Sequence, residues 1–280
     1  MTASSRQPGR RTHFLTRRVD NTRLDILVRW AAEPTGQAVV FVHGFGGTAI
    51  GSFEDFHVLS TRRPDLAGCD LIFFGYDSVR LGVTDAASEL FDLLITIALF
   101  PGRLFENSKP HERARRPDSF EYERLVIVGH SLGAVVARAA LLRTRTIHKP
   151  GPLWSQTRSL FFAPAHCGAR PVELMASVAL PWPIQLVKRA TLLWRSPALD
   201  DLQRGGSYLA WLQSEVREGV RGGSEHLRAS TIHVRDDGVV FNCVFADDFP
   251  PQLVWDHDHR SVCKPTRDYL DPVEALSAQL

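Results

Sequence analysis

Ser131 sits in the run Gly129-His130-Ser131-Leu132-Gly133, and its neighbours are what give that hydroxyl chemical meaning. The β-branched stretch Leu125, Val126, Ile127 and Val128 precedes it, and a helix-forming stretch over residues 134–143 follows. A strand, a sharp turn and a helix with serine at the corner lift a hydroxyl clear of a sheet, in a backbone conformation most residues avoid. Gly129 and Gly133 carry no Cβ, so strand and helix can pass within contact distance of that corner. The helix N-terminus beneath the serine puts positive partial charge where a tetrahedral oxyanion would form. The spacing G-x-S-x-G alone is weak, since chance supplies it in roughly one chain in ten of this length. The flanking strand and helix carry the reading.

Serine near neutral pH is a poor nucleophile. It needs a histidine to take its proton and a carboxylate to hold that histidine in one tautomer. Thr231-Ile232-His233-Val234 reads as a strand, and Arg235-Asp236-Asp237-Gly238-Val239-Val240 is the turn at its end. Carboxylates on loops beyond sheet strands sit at the edge where ligands bind. Asp237 is the preferred acid, with Asp236 as the fallback. The preferred base is His259, in the polar loop Asp258-His259-Arg260-Ser261-Val262-Cys263-Lys264-Pro265, and His257 is its alternative. His233 alternates into a strand and reads as structural. His130 is expected to pack or hydrogen-bond beneath the serine. Acyl transfer also needs two backbone N–H groups aimed at the oxyanion. Leu132, the residue after the nucleophile, offers one, and the glycine-rich loop His43-Gly44-Phe45-Gly46-Gly47 offers the other.

The elements that must position these groups are legible as alternating strands and helices. Residues 38–42 form a continuous apolar run, the mark of a strand buried on both faces of a parallel sheet. Residues 70–75 form the next such strand, the elbow strand follows, and 159–163, 230–234 and 240–245 complete the candidates. Phe14-Leu15 and residues 23–30 suit an opening antiparallel pair. Residues 84–100 and 273–280 read as helices, and 109–117 as a charged, solvated loop. This pattern implies an α/β fold, a mostly parallel central sheet with helices on both faces. Residues 1–12 read as a flexible tail and 13–280 as one domain. Within it, 170–225 carries Trp182, Trp194 and Trp211 and no convincing strand. It reads as including a helical cap or lid over an apolar acyl pocket, with the sheet's ordinary packing helices as the alternative.

With 280 residues, 44% hydrophobic and 23% charged, the chain has ordinary globular composition and can bury a full core. A net charge of +2 argues against nucleic acid as a partner. The four cysteines form no CxxC pair, so a reduced, cytoplasmic protein is the expectation, with one or two disulfides as the alternative. His257, His259 and Cys263 lie close together, but no fourth ligand stands at zinc-site spacing, so no metal and no cofactor are expected. Arg10-Arg11-Thr12 is followed by no apolar stretch of signal-peptide type. The longest apolar run, 93–100, is far short of the roughly 20 residues a bilayer span needs.

With the glycine-rich loop, the elbow, Asp237-Gly238-Val239-Val240 and the segment from His259 to Lys264-Pro265 in hand, the chain resembles the lipase-like serine esterases of the α/β-hydrolase superfamily. The resemblance covers roughly residues 36–165 and 228–270. It implies an α/β-hydrolase fold and hydrolysis of carboxylic esters through an acyl-enzyme, with Ser131, Asp237 and His259 as the triad. It also implies that the Phe45 N–H joins that of Leu132 in an oxyanion hole flanked by His43 and Gly44. The implied partner is a small-molecule or lipid ester, with transient contact at a membrane surface. The chain departs from the family at Ala163-Pro164-Ala165-His166-Cys167-Gly168, where Thr-Pro-His-x-Gly is usual, a change expected to reshape the pocket floor. Acyltransferase, thioesterase and amidase chemistry use the same triad, and a non-catalytic lipid- or partner-binding role is the remaining alternative.

Overall fold

The computed structural model describes residues 14–18, 25–59, 62–104, 116–147, 151–178 and 195–280. Its strands are β1 (Phe14–Arg18), β2 (Asp25–Arg29), β3 (Gln37–Val42), β4 (Asp70–Gly75), β5 (Arg124–His130), β6 (Thr157–Phe162), β7 (Ser230–Val234) and β8 (Gln252–Val254). They form one eight-stranded sheet in the order β1-β2-β4-β3-β5-β6-β7-β8. The pairs β1/β2 and β2/β4 are antiparallel, and every other pair is parallel. The apolar runs read in the sequence lie at its centre: Val39 to Val42 in β3 and Leu125 to Val128 in β5 are fully shielded from solvent.

The helices are α1 (Phe56–Leu59), α2 (Pro64–Ala67), α3 (Val83–Leu99), α4 (Leu132–Arg143), α5 (Pro152–Ser155), α6 (Pro171–Ser177), α7 (Pro197–Asp201), α8 (Ser207–Arg221) and α9 (Asp271–Ser277). Strand order runs outward in one direction from β3 to β4 and in the other from β5 to β8, so right-handed crossovers place helices on opposite faces. Helices α3, α4 and α8 share one face, with α4 packed against both of the others. On the other face Arg63, at the start of α2, donates to Ser277 Oγ in α9 at 3.3 Å. Helix α3 buries Val83, Ala86, Ala87, Leu90, Leu94 and Ile97, a stripe at three- and four-residue spacing. Its first N–H, from Val83, is capped from α7 by the Asp201 carboxylate at 2.8 Å.

Four expectations change here. Residues 240–245 form no strand; Val240 makes only an isolated bridge to Ala169, and the last strand is β8. The cause is competition from a neighbouring loop. Arg170 N–H donates to the Val239 carbonyl at 2.8 Å, Phe241 N–H to that of Gly168 at 3.1 Å, and Cys167 and Cys243 form a disulfide. That disulfide is the second change: the reduced reading gives way to its alternative, with one bridge. The fold brings the two Cα atoms to 6.2 Å, within bridging range, while Cys69 and Cys263 stay free and buried.

Third, Arg116 is not part of a solvated loop. Its guanidinium pairs with the fully buried Asp70 and donates to the Ala31 carbonyl at 2.9 Å, while Tyr122 Oη–H donates to Asp70 at 2.7 Å. Residues 109–115 lie outside the described residues. Fourth, the expected cap over 170–225 divides. Helix α8 packs against α4, as the alternative of ordinary packing helices has it. Residues 179–194, with Trp182 and Trp194, lie outside the described residues, as do residues 1–12. Among the described residues no helix is long and apolar enough to cross a membrane.

Candidate active site

Ser131 links β5 to α4 with φ 55° and ψ −120°, a conformation side-chain-bearing residues rarely adopt. Its surroundings hold it there. Ser131 N–H donates to the Phe162 carbonyl at 3.0 Å, and its own carbonyl accepts from Ala134 and Ala165, both at 3.2 Å. The two flanking glycines are sterically required. A Cβ on Gly129 would lie 2.7 Å from Ala134 Cα, and one on Gly133 only 2.1 Å from the Val42 carbonyl oxygen.

His259 follows β8 and is 5% exposed. Its Nδ1–H donates to Asp237 Oδ2 at 2.8 Å, and its Nε2 accepts from the Ser131 hydroxyl at 3.0 Å. Asp237 follows β7, and its Oδ1 accepts the N–H groups of Val239 at 2.7 Å and Val240 at 3.0 Å. Burial pushes this carboxyl up, but the hydrogen bond and charge of His259 and the two backbone donors outweigh it, holding it below its ordinary value. Arg170 steadies the same turn by donating to the Asp237 carbonyl at 3.0 Å. Asp236 is exposed, and His257 stacks on Tyr269 with ring centroids 3.6 Å apart. The geometry therefore joins Ser131, His259 and Asp237 and leaves both fallback residues outside. His233 bonds to Asn242 at 2.9 Å, away from this chain of contacts.

The loop after β3 is held from below. Its His43 donates through Nδ1–H to the Gly44 carbonyl at 2.8 Å and accepts the Tyr76 N–H on Nε2 at 3.2 Å. Burial lowers the His43 pKa to about 4, so the ring is neutral in this role. Gly47 N–H donates to the Gly44 carbonyl at 3.1 Å and Gly46 N–H to Ser78 Oγ at 2.9 Å, with Gly46 at φ 64°. Phe45 N–H has no acceptor among the described residues. Leu132 N–H, in the first turn of α4, lacks an intrahelical carbonyl. Both N–H groups thus lack a hydrogen-bond acceptor among the described residues. His43 and Gly44 shape that loop, and Gly44 also lines the cavity.

A cavity of about 230 Å³ opens over Ser131. Phe45, Leu174 and Val178 form an apolar wall, the last two from α6 and its end, while Thr48, Ser52, Arg260 and Lys264 bring polar atoms. None of residues 163–168 lines it, so the departure from the family segment does not reach the floor as expected. His166 instead turns inward, accepting from Arg138 at 3.1 Å and packing on Phe245. The supports Tyr76, Ser78 and Arg170 and the wall residues Leu174 and Val178 carry no sequence signal; only the fold brings them to the site. The described residues contain no group of three or more His, Cys, Asp or Glu arranged to hold a metal ion. A serine hydroxyl bonded to an imidazole held by a carboxylate, beside unpaired N–H donors, has the parts needed to attack a carbonyl and hold the oxyanion.

A sequence profile described as "Alpha/beta hydrolase family" matches residues 39–279. Among solved structures, the mature form of the lipase BlEst2 from Bacillus licheniformis aligns with a TM-score of 0.53 and 16% identity, covering 90% of this chain and 97% of that one. The peroxisomal alpha-beta-hydrolase Lpx1 from Saccharomyces cerevisiae aligns with a TM-score of 0.53 and 12% identity, covering 98% and 86%. No curated protein sequence matches the chain. At these identities the likeness to solved structures is one of fold.

Proposed function

The chain belongs to the alpha/beta hydrolase family, and from that premise we propose that it hydrolyses carboxylic esters through an acyl-enzyme on Ser131. The observation that carries this reading is the continuous pair of hydrogen bonds from Asp237 to His259 at 2.8 Å and from His259 to Ser131 at 3.0 Å, at the edge of a cavity. In the first step Ser131 Oγ attacks the ester carbonyl carbon while His259 Nε2 takes its proton. The Phe45 and Leu132 N–H groups hold the oxyanion, and each such donor is worth about 10² to 10³ in turnover. The imidazolium, stabilised by Asp237, then protonates the departing alkoxide. Water, deprotonated by the same imidazole, attacks the acyl-enzyme and restores the serine.

The apolar wall of Phe45, Leu174 and Val178 suits a short acyl chain, and in this reading α6 is the part of the expected cap that covers the site. A Cβ on Gly46 would lie 2.4 Å from Val178 Cγ2, so the end of α6 rests directly on the oxyanion loop. The test is Ser131→Ala on p-nitrophenyl butyrate together with fluorophosphonate labelling. The variant should lose about 10⁶ in turnover and all labelling. Wild-type activity in the variant, or no labelling of the parent protein, rejects the reading.

A further inference from the structure

Among the described residues, the lining of the cavity over Ser131 holds two cations, Arg260 and Lys264, and no carboxylate. The two cations are differently committed. Lys264 Nζ is paired with Glu54 Oε1 at 2.6 Å, and its side chain is only 20% exposed. Arg260 is exposed, and among the described residues its guanidinium forms no hydrogen bond or ion pair. The nearest acid in sequence, Asp258, is turned to the backbone, accepting the N–H groups of Arg260 at 2.9 Å and Ser261 at 2.8 Å. A planar group with five donors therefore stands at the cavity rim one residue from His259; Asp258 feels its charge without being bonded to it, so its donors stay available.

Direction follows from the chemistry. The imidazole that accepts the Ser131 proton must next protonate the leaving oxygen, so the alcohol portion of an ester lies on the His259 side. The acyl portion lies against Phe45, Leu174 and Val178, beside the oxyanion loop. Arg260 belongs to the first side. We propose that the alcohol portion of the substrate carries an anionic group, a carboxylate or a phosphate, which Arg260 binds at the rim. This rests on the reading of Ser131 as the nucleophile. It makes Arg260 a specificity residue, distinct from the groups that move protons.

The experiment uses butyryl esters that share one acyl chain. O-butyrylglycolate is compared with its neutral amide O-butyrylglycolamide, and butyrylglycerol phosphate with monobutyrylglycerol. The two pairs separate carboxylate from phosphate as the preferred anion. A third pair, p-nitrophenyl hemisuccinate against p-nitrophenyl butyrate, moves the charge to the acyl side. At low salt, kcat/KM should favour at least one alcohol-side anion by about tenfold, the scale of one charge-assisted contact at a partly solvated site. Added salt should erode that preference. Arg260→Gln should reduce the anionic-to-neutral ratio about tenfold, chiefly through KM, and Arg260→Lys should retain part of it. Equal rates for charged and neutral partners, a preference confined to the hemisuccinate, or a ratio unmoved in Arg260→Gln overturns the inference. Fluorophosphonate labelling of the same preparation separates the two failures. Labelled protein without anion preference defeats only the role of Arg260, whereas unlabelled and inert protein defeats the hydrolase reading as well.

Discussion

The Nε2–H of His130 donates to the backbone carbonyl of His259 at 2.7 Å, with the two rings 5.0 Å apart. The residue before the proposed nucleophile thus holds the main chain of the proposed base. Replacing His130 with Ala frees that carbonyl and lets the imidazole drift. Misplacement by about an ångström costs up to about 100-fold in rate, so kcat on a short ester should fall by one to two decades with a smaller change in KM. Steady-state kinetics on His130→Ala checks this.

The two adjacent acids should separate cleanly. Asp237→Asn keeps the shape but favours the wrong imidazole tautomer, and kcat should drop by about 10⁴. Asp236 is exposed, and Asp236→Asn should stay within about threefold of the parent, as surface changes do. Parallel kcat measurements on both variants decide which carboxylate orients His259.

Buried neutral histidines tie stability to pH. Burial lowers His43 to about 4 and His130 to about 3, the latter helped by the nearby charge of His259. Both rings stay neutral in the folded chain and gain a proton only on unfolding, so the unfolded state binds more protons below 6.5. Their contribution to stability is complete above pH 6.5 and declines as pH falls toward 4, by about 1.4 kcal/mol per pH unit for each fully buried ring. Urea denaturation at pH 7 and pH 5 should show lower stability at pH 5. A His43→Gln variant should show a shallower slope.

Much of this site was legible before any coordinates, and for a physical reason. The elbow is local: a β-branched strand, two glycines and a helix lie within about twenty consecutive residues, so their types alone dictate the corner at Ser131. Asp237 and His259 follow short strands whose ends must reach the same edge of a parallel sheet. What escaped was non-local. Residues 240–245 have a strand's composition, but Arg170, Gly168 and Cys167 capture their backbone and sulfur from a distant loop. Arg116 reads as a surface charge until Asp70, far away in sequence, supplies its buried partner. Helix α8 is amphipathic whether it caps a site or flanks a sheet, and only its contact with α4 tells which.

The elbow glycines admit no side chain. Gly133→Ala drives a methyl group into the Val42 carbonyl. Because the obstacle is backbone, relief requires shifting the central strand. The variant should lose about 3 kcal/mol or more, at the severe end of single substitutions, seen as a lower Tm or as insoluble expression. Gly151→Ala meets nothing within 4 Å and serves as the tolerant control.

The disulfide between Cys167 and Cys243 closes a loop of 76 residues and straps the turn carrying Asp237. Chain-entropy arguments assign a loop of that length about 4 kcal/mol. Dithiothreitol, or Cys243→Ser, should lower Tm and reduce kcat by loosening the acid turn. Mass spectrometry of the alkylated protein should find two modified thiols before reduction under denaturing conditions and four after it.

Ser131, Asp237 and His259 lie beyond the carboxyl ends of β5, β7 and β8, and the last of these strands is three residues long at the margin of the sheet. If Ser131 is the nucleophile, a chain whose last short strand has not docked holds that serine without the imidazole of His259. Under the proposed mechanism, turnover would report on completed folding.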